Sequence, residues 1–296
     1  MSEPAPPARM ELWIEERHRE TMGMRFRVRR VLFSGTSEFQ RIEVVETESL
    51  GRMLLNDGMV MVTERDEFVY HEMIAHVPLF THPRPESVLI IGGGDGGTAR
   101  EVLRHPMVTR CVMVEIDGMV VEACREHIPQ TAGSLDDPRL ELRIEDGVKY
   151  MAETGRRFDV ILVDSTDPVG PATPLFGSEF YGDVHRVLAD DGIVVAQGES
   201  PFYDPAMQAK VAGIFRERFP RVHFYNYTNL TYPGGLWSFA LGSKGPCPIR
   251  DLDPKRVEKS GLAFSYYSAD LHRGAFAIPA FQRRHLGEAL SPLPAR

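Results

Sequence analysis

Two acidic loops, each following an apolar strand-like run, carry the residues with the clearest chemical potential. One is the glycine loop 92–97 with Asp95 inside it, and the other spans residues 164–168. Apolar runs over residues 87–91 and 158–163 precede them. A strand, a tight glycine turn and a helix start form the nucleotide-binding corner of an α/β sheet. If both strands are parallel, the loops lie at the same sheet edge, which predicts a nucleoside site beside a cation-binding cluster.

Asp95 helps to decide which nucleotide the glycine loop binds. Gly92 and Gly94 belong to a match with the dinucleotide fingerprint, and Glu115 lies where a ribose-binding acid is expected. A phosphate about 4 Å from a carboxylate would be repelled by roughly 4 kcal/mol at an effective dielectric near 20. Asp95 would also repel the carboxylate of S-adenosylmethionine but would attract a free ammonium. Decarboxylated S-adenosylmethionine therefore suits the loop best, unless Asp95 points to solvent or caps the next helix.

Further carboxylates at the same edge favour an amine nucleophile. Asp164 and Asp167 would converge with Asp95, and an alkylammonium with a pKa near 10 is only about one part in a thousand neutral at pH 7. Exposing its lone pair costs roughly 4 to 5 kcal/mol, which a buried carboxylate that binds the ammonium and accepts its proton would offset. Asp146, just before Gly147, can accept from an adenine amino group or N-cap the next helix, and both roles can hold together.

A small antiparallel β unit is predicted before the main domain. A hairpin signal at residues 56–58 joins two of its strands, and Thr63 is predicted to N-cap the following helix. The strand patterns cover residues 26–29, 39–44, 52–55 and 59–62. The resulting division is a disordered tail over residues 1–10, an N-terminal β-strand domain over 11–66 and a catalytic domain over 67–296.

From residue 87 onwards, strand-like runs alternate with helical stretches, as parallel βαβ crossovers require. The helix before them has one inward face, formed by Tyr70, Met73, Ile74 and Val77. The seven runs begin near Val88, Cys111, Leu140, Phe158, Gly192, Val222 and Leu236. The last two lack an intervening helix and predict an antiparallel edge pair. The expected fold class is α/β, a methyltransferase-like Rossmann seven-stranded sheet with a small N-terminal antiparallel β domain.

The composition is that of an ordinary globular protein with an acidic charge. The 296 residues are 43% hydrophobic and 26% charged, and 34 basic against 42 acidic residues give a net charge of −8. This charge argues against nucleic acid and anionic membranes as partners and is compatible with a cationic substrate. The three cysteines show no CxxC spacing, which predicts a protein in a reducing compartment. The sequence also shows neither a signal-peptide core nor a membrane-spanning stretch, so we expect a cytoplasmic protein.

Six motifs resemble the polyamine aminopropyltransferase family, over about residues 11–286. They are Thr63-Glu64-Arg65-Asp66-Glu67-Phe68, Tyr70-His71-Glu72-Met73, Gly92-Gly93-Gly94-Asp95-Gly96-Gly97, Val114-Glu115-Ile116-Asp117, Asp164-Ser165-Thr166-Asp167-Pro168-Val169-Gly170-Pro171 and Thr231-Tyr232-Pro233. The resemblance implies a transferase with decarboxylated S-adenosylmethionine as co-substrate, no separate cofactor, and putrescine as the amine acceptor. It also implies a homodimer or homotetramer.

The resemblance further implies roles for individual residues. Asp164 would be the general base, and Asp95 would bind the aminopropyl amine. The diamine would be bound by the loop after Asp164 and by neighbouring side chains, namely Tyr70, His71, Ser165, Thr166, Asp167 and Tyr232. The nucleoside, which leaves as methylthioadenosine, would be held by Gln40, Gly92, Gly94, Glu115, Asp146, Gly147 and Pro171.

Further residues are considered and given no catalytic or metal-binding role. Trp237 and Phe239 are predicted to pack the last strand. His71 and His76 are five residues apart on a helix, about 140° from each other, so they cannot share a metal and no metal site is predicted. His71 has an equal claim to a surface position. Met61 stands where many family members have glutamine, which bears on the preference for substrate.

Three classes of function are weighed. The leading one transfers an aminopropyl group to putrescine, giving spermidine and 5′-methylthioadenosine. Cadaverine, agmatine or spermidine could replace putrescine as the acceptor, because each methylene in a binding pocket discriminates between substrates by only about 1 to 3 kcal/mol. A methyltransferase using intact S-adenosylmethionine is disfavoured by Asp95 and the second acidic loop. A silent nucleoside-binding protein of the same fold is disfavoured by the joint presence of Tyr70, Asp95, Asp164, Asp167 and Tyr232.

Overall fold

The computed structural model describes residues 11–168 and 170–293. The first sheet has five antiparallel strands in chain order: β1 (Leu12–His18), β2 (Met22–Thr36), β3 (Arg41–Thr47), β4 (Arg52–Asn56) and β5 (Met59–Thr63). The tail predicted over residues 1–10 lies outside the described residues, and the division between domains at residue 66 stays a prediction.

The outer hairpin of this sheet was not predicted from the sequence. β1 pairs with β2 along its whole length, whereas the predicted strand covered only residues 26–29. Glu16 is the one buried side chain of β1, so the strand lacks the apolar alternation by which strands are recognised. The predicted hairpin between β4 and β5 is confirmed, because Asp57 and Gly58 both have positive φ, at 50° and 80°.

The second sheet confirms the predicted α/β fold. Its strands are β6 (Ser87–Gly92), β7 (Arg110–Glu115), β8 (Leu140–Ile144), β9 (Phe158–Asp164), β10 (Leu188–Gln197), β11 (Arg221–Thr228) and β12 (Leu236–Ser243), in the order β11-β12-β10-β9-β6-β7-β8. The strands from β6 to β10 are parallel, and β12 is antiparallel to both of its neighbours. The predicted antiparallel pair is therefore present, with β11 at the edge of the sheet.

The described residues contain ten α-helices. Their bounds are α1 (Glu67–Thr81), α2 (Gly97–Leu103), α3 (Gly118–His127), α4 (Pro129–Ala132), α5 (Gly147–Glu153), α6 (Ser178–Val187), α7 (Pro205–Arg218), α8 (Pro254–Lys259), α9 (Ala269–Ala275) and α10 (Ala280–Leu286). Short 3₁₀ helices span Gly170–Phe176 and Gly287–Ala289. Within the described residues, none of the helices has the length and apolar character needed to cross a bilayer.

Helix α1 begins after Asp66, so the prediction that Thr63 caps it was wrong. Thr63 is instead the last residue of β5, and its hydroxyl donates to Asp66 Oδ1 at 2.5 Å. Asp66 Oδ2 accepts from the backbone N–H groups of Leu230 and Thr231 at 2.9 and 3.0 Å. A carboxylate placed to cap a helix thus ties the start of α1 to the loop between β11 and β12.

One apolar core links the two sheets through α1. It contains Ile42 and Leu54 from the first sheet, Ile74 from α1 and Val160 from β9. The predicted inward face of α1 is buried, and so is the rest of the helix except Phe68, because neighbouring elements cover it on every side. The position of α1, and of the polar side chains it carries, is therefore fixed by packing.

Candidate active site

A cavity of about 190 Å³ lies where the first sheet meets the carboxyl edge of the second. Its wall contains the side chains or backbone of nearly every residue that the sequence pointed to: Gln40, Tyr70, His71, Gly92, Gly94, Asp95, Glu115, Asp146, Gly147, Asp164, Ser165, Thr166, Asp167 and Tyr232. Pro171 lies in the 3₁₀ helix after β9, and its side chain is outside the described part of the structure. One cavity thus collects residues from both sheets and from α1.

Strand register and two glycines bring the acidic loops together. Gly92 at the end of β6 lies opposite Asp164 at the end of the parallel strand β9. Gly92 has a φ of +84°, and a Cβ there would lie 2.1 Å from the backbone oxygen of Asp164. A Cβ on Gly97 would lie 2.1 Å from the His71 ring. Both positions therefore need glycine for close approach, and the first also for its backbone conformation.

Asp164 is held by two hydroxyl donors. Tyr70 Oη donates to Oδ1 at 2.7 Å, and Thr98 Oγ1 donates to Oδ2 at 2.6 Å. Loss of solvation and the negative charge of Asp95 raise the pKa of Asp164, while His71 and the two hydroxyls act in the opposite direction. A fixed carboxylate with a raised pKa is suited to binding an ammonium and accepting a proton from it.

Asp95 faces the same cluster and is joined to His71. Its Oδ1 accepts from the Gly97 N–H at 2.8 Å and lies 3.3 Å from His71 Nε2. His71 Nδ1 lies 2.5 Å from Glu67 Oε2. Burial by itself would lower the pKa of His71, but the carboxylates of Asp95 and Glu67 outweigh burial and raise it to about 10. The alternative of a surface position for His71 is thus wrong, since only 2% of the residue is exposed. Asp95 does bond the first turn of α2, at Gly97 and not at Thr98.

The opposite wall of the cavity is formed by polar groups at the end of β7. Glu115 accepts from the N–H groups of Gly94 at 3.1 Å and Asp117 at 2.9 Å, and burial raises its pKa to about 7. Gln40 Nε2 donates to Asp117 Oδ2 at 3.0 Å. The carboxylate of Glu115 is therefore oriented by backbone groups, and Gln40 is held beside it.

Asp146 has the capping role that the sequence allowed. Its Oδ1 accepts from the N–H groups of Val148 and Lys149 at 2.8 and 3.3 Å, at the start of α5. Asp146 and Gly147 also line the cavity. The structure thus confirms the N-cap, while the contact with an adenine group stays a prediction.

The loop after Asp164 and the loop before β12 form the remaining side. Asp167 Oδ1 accepts from Gln197 Nε2 at 3.3 Å, and burial together with the charge of Asp204 raises the pKa of Asp167 to about 6. Tyr232 Oη donates to the Met61 carbonyl at 2.8 Å, which places the Tyr232 ring 6.2 Å from that of Tyr70. This side offers a carboxylate and aromatic walls to a flexible, cationic chain.

Sequence reasoning left many residues of the cavity wall out of the site, including four that carry hydrogen-bonding side chains. Glu16 and His18 belong to the unpredicted β1, and Gln197 ends β10. Trp237 was predicted to lie outside the site, but it lines the cavity while its Nε1 donates to the Pro233 carbonyl at 3.0 Å. Two local signals could have pointed to them. They are the acidic residue Glu16 in a strand with few apolar residues, and the indole of Trp237 close to the Thr-Tyr-Pro motif. Phe239, in contrast, is buried in the core as predicted.

The geometry alone would also allow a cation other than an amine. His71, Asp95 and Asp164 each place one ligand atom within 4.8 Å of the others. A metal needs the lone pair of a neutral imidazole, whereas both ring nitrogens of His71 already face carboxylates. His76, the other histidine weighed in the sequence, bonds His105 and Glu101. We therefore interpret the carboxylates as an ammonium site.

Two sequence families match the chain in consecutive segments. The model described as the spermidine synthase tetramerisation domain matches residues 12–64, and the spermine/spermidine synthase domain matches residues 67–251. Among curated proteins, the polyamine aminopropyltransferase of Bacillus mycoides is 48% identical over 272 residues, which cover 92% of this chain and 98% of that protein. The polyamine aminopropyltransferase of Bacillus subtilis is 46% identical, with coverage of 92% and 97%.

Solved structures agree with these matches. A spermidine synthase in complex with the transition-state analogue AdoDATO superposes with a TM-score of 0.92 at 43% identity, covering 96% of this chain and 98% of the other. Spermidine synthase from Thermotoga maritima superposes with a TM-score of 0.90 at 42% identity, covering 96% and 97%. The similarity therefore extends over both sheets and the cavity between them.

Proposed function

The chain belongs to the spermine/spermidine synthase family of aminopropyltransferases, and from this membership we propose that it transfers the aminopropyl group of decarboxylated S-adenosylmethionine to putrescine. The products are spermidine and 5′-methylthioadenosine. The co-substrate supplies the reactive sulfonium itself, so the proposal includes no resident cofactor and no metal.

The reaction is an in-line displacement in which the protein places charges. The putrescine nitrogen attacks the carbon next to the sulfonium, a C–N bond forms, and the C–S bond breaks to leave a neutral thioether. Asp164 first binds the attacking amine as an ammonium and accepts its proton, so that the lone pair becomes available. No covalent enzyme intermediate is needed, and positioning with electrostatic stabilisation carries the catalysis.

The observation that carries this proposal is the approach of Asp95 and Asp164 at the ends of two parallel strands. Asp95 would hold the amine of the aminopropyl arm, and Asp164 would hold the nucleophile, so the two reacting ends meet between them. Glu16 and Asp167 line the same cavity beyond Asp164 and would receive the second ammonium of a diamine. Putrescine, with an ammonium at each end of a short apolar chain, fits two acidic ends.

The nucleoside would occupy the opposite wall. Glu115 would accept from the ribose hydroxyls, with Gln40 beside it, and Asp146 would accept from the adenine amino group. Gly92 and Gly94 leave room for backbone approach to the ligand, and Gly147 and Pro171 would also hold the nucleoside. Ser165, Thr166, His71, Tyr70 and Tyr232 would complete the walls around the aminopropyl group and the diamine.

A homodimer or homotetramer is the proposed assembly, with the first sheet as the contact surface. Leu12, Trp13 and Val31 on β1 and β2 are 47%, 43% and 52% exposed, which is high for large apolar side chains at the edge of a sheet. The match of residues 12–64 to a domain described by tetramerisation supports this proposal.

The sequence and its three free thiols favour a cytoplasmic enzyme.

The test supplies the purified protein with decarboxylated S-adenosylmethionine and, separately, putrescine, cadaverine, agmatine or spermidine. Mass spectrometry follows methylthioadenosine and the polyamine product. We expect the highest kcat/KM with putrescine and equal molar amounts of spermidine and methylthioadenosine. A higher value with another amine would change the acceptor, and nucleoside binding without any product would favour a silent binding protein.

A further inference from the structure

Glu67, the first residue of α1, is a buried carboxylate that accepts four hydrogen bonds. Arg100 donates to both of its oxygens, at 2.9 and 2.8 Å, in a bidentate pair. Gln130 Nε2 donates to Oε1 at 2.8 Å, and His71 Nδ1 lies 2.5 Å from Oε2. Only 5% of Glu67 is exposed. Burying a carboxylate is costly unless it is fully paired, so this arrangement holds a negative charge in one defined place.

His71 transmits that charge to the reacting groups. Its two ring nitrogens face two different carboxylates, Glu67 on one side and Asp95 on the other. A neutral imidazole has one lone pair, which would then point at a carboxylate; an imidazolium donates to both. The raised pKa of His71 agrees with this geometry. The ring is also confined by the close approach of Gly97.

The charge on His71 acts on Asp164, whose pKa is raised by burial and by Asp95 and lowered by His71. We propose that Glu67 is a positioning residue for the transfer: it keeps a proton on His71, and the imidazolium keeps Asp164 available as a carboxylate at neutral pH. This inference rests on the proposed role of Asp164 as the base. Glu67 itself does not line the main cavity, so it acts through His71.

Several other ionisable groups surround this cluster, and a substitution at Glu67 retains all of their side chains. Arg100 lies behind Glu67, while Glu115 and Tyr232 face Asp164. Among the described residues, the ionisable groups that act on His71, Asp95 or Asp164 from the packed elements include Glu67, Tyr70, Cys124, Glu115, Tyr227 and Tyr232. Of these, only Glu67 bonds His71 directly from the side opposite to the site.

The first test is the pH dependence of turnover in Glu67→Gln. Loss of the anion should let His71 release its proton near neutral pH, and loss of that cation should raise the pKa of Asp164. We expect the acid limb of kcat, the acid side of its pH profile, to move up by about one pH unit, so that turnover falls about fivefold at the pH of the wild-type midpoint and approaches that of wild type about two pH units above it. An equal loss at every pH, or no loss, would overturn the proposal.

Glu72→Gln is the matched control. Glu72 lies on the same helix, is 2% exposed, and accepts from the backbone N–H groups of Ser265, Tyr266 and Tyr267, away from the cavity. Its substitution should lower the melting temperature without moving the acid limb. Methylthioadenosine affinity, compared with wild type at each pH, should be unchanged in both variants. A shift of the limb in Glu72→Gln would show that any buried carboxylate on α1 has the same effect.

A double variant tests whether Glu67 acts through His71. His71→Gln should show the same shift, and adding Glu67→Gln to it should change the acid limb no further. Additive shifts would mean that Glu67 acts by another route and would contradict the proposal.

Nitrogen NMR of wild-type protein that contains isotope-labelled histidine measures the protonation of His71 without requiring turnover. Comparison with His71→Gln assigns the signals. Both ring nitrogens of His71 should be protonated at pH 8, and in Glu67→Gln one should not be. A neutral His71 in the wild type would overturn the inference even if the enzyme is active. A protonated His71 in an enzyme without aminopropyl transfer would leave the electrostatic link intact and refute the proposed function instead.

Discussion

At the scale of single residues, the site is a small set of carboxylates whose environments differ. Asp164 accepts from two hydroxyls, Asp95 lies beside His71, and Glu115 accepts from backbone N–H groups. In the proposed reaction these three chemically similar side chains would accept a proton, bind an amine and bind a ribose. Environment, rather than residue type, divides the work among them.

Asp164→Asn tests the role of the base. The amide cannot accept the proton of the nucleophile, so kcat should fall by about 10²- to 10⁴-fold. Affinity for methylthioadenosine, measured by calorimetry, should change less than about twofold, because the proposed nucleoside contacts lie on the other wall. Asp190→Asn is the control, since Asp190 is an exposed partner of Arg157. Equal loss of turnover and nucleoside binding would point to a structural role.

Ionisation of Asp167, which is proposed to bind the second ammonium of the amine acceptor, should make KM for putrescine depend on pH. The pKa of Asp167 is raised from the usual carboxylate range to about 6, so the group is ionised at pH 7.5 and mostly neutral at pH 5.5. A neutral carboxyl binds an ammonium poorly, so KM for putrescine should rise at least roughly fourfold between these values. Asp167→Asn should have a high KM at both. A wild-type KM that stays level would contradict a role of Asp167 at the acceptor end.

At the scale of elements, the site depends on how strands and helices end. The two acidic loops follow parallel neighbours, β6 and β9, and α1 supplies Tyr70 and His71 from a position fixed by burial. Asp66 joins the start of α1 to the loop that carries Tyr232. The cavity wall is therefore joined by a contact between elements that are more than 150 residues apart in sequence.

Asp66→Ala tests this contact. It removes the acceptor of Leu230 and Thr231, so the free energy of unfolding should fall by about 2 to 4 kcal/mol, and KM for the amine should rise as Tyr232 loses its place. Asp253→Ala is the matched control, because Asp253 caps α8 at an exposed site and should cost only about 1 kcal/mol. Denaturant unfolding and steady-state kinetics measure the two effects. A loss of stability with an unchanged KM would show that Asp66 stabilises the fold without positioning Tyr232 for amine binding.

The elements also show what can be read from a sequence. The apolar runs of the second sheet and the glycine turn at Gly92 are local signals, so the fold and the acidic loops were predictable. β1 was not, because its one buried side chain, Glu16, is charged and faces the cavity. Thr63 is a good N-cap residue, but tertiary contacts of Asp66 move the start of α1. The position of His71 between two carboxylates depends on the approach of two separate segments, α1 and the glycine loop, and that approach has no local signature.

At the scale of the whole molecule, the first sheet has two surfaces with different tasks. One side carries Glu16 and His18 to the cavity, and the outer strands expose Trp13 and Val31. Arg25 lies over the Trp13 ring at 5.3 Å, which leaves an amphipathic surface rather than a purely apolar one. Such a surface is suited to a contact between copies of the chain.

Trp13→Glu tests the proposed assembly. A charge at the centre of the contact should shift the protein towards monomer in light scattering after size exclusion. Ile144→Glu, at an equally exposed apolar position on β8, is the control and should keep the assembly. If the wild type is already a monomer, or if the two variants behave alike, the first sheet is not the contact surface.

Asp95 is proposed to make this site select a free ammonium. The most direct measurement compares the affinities of the wild type and of Asp95→Asn for decarboxylated S-adenosylmethionine and for S-adenosylmethionine by calorimetry. The wild type should bind the decarboxylated form at least about tenfold more tightly, and the variant should lose most of that preference. A wild type that prefers intact S-adenosylmethionine, or a preference that survives in Asp95→Asn, would contradict this role of Asp95.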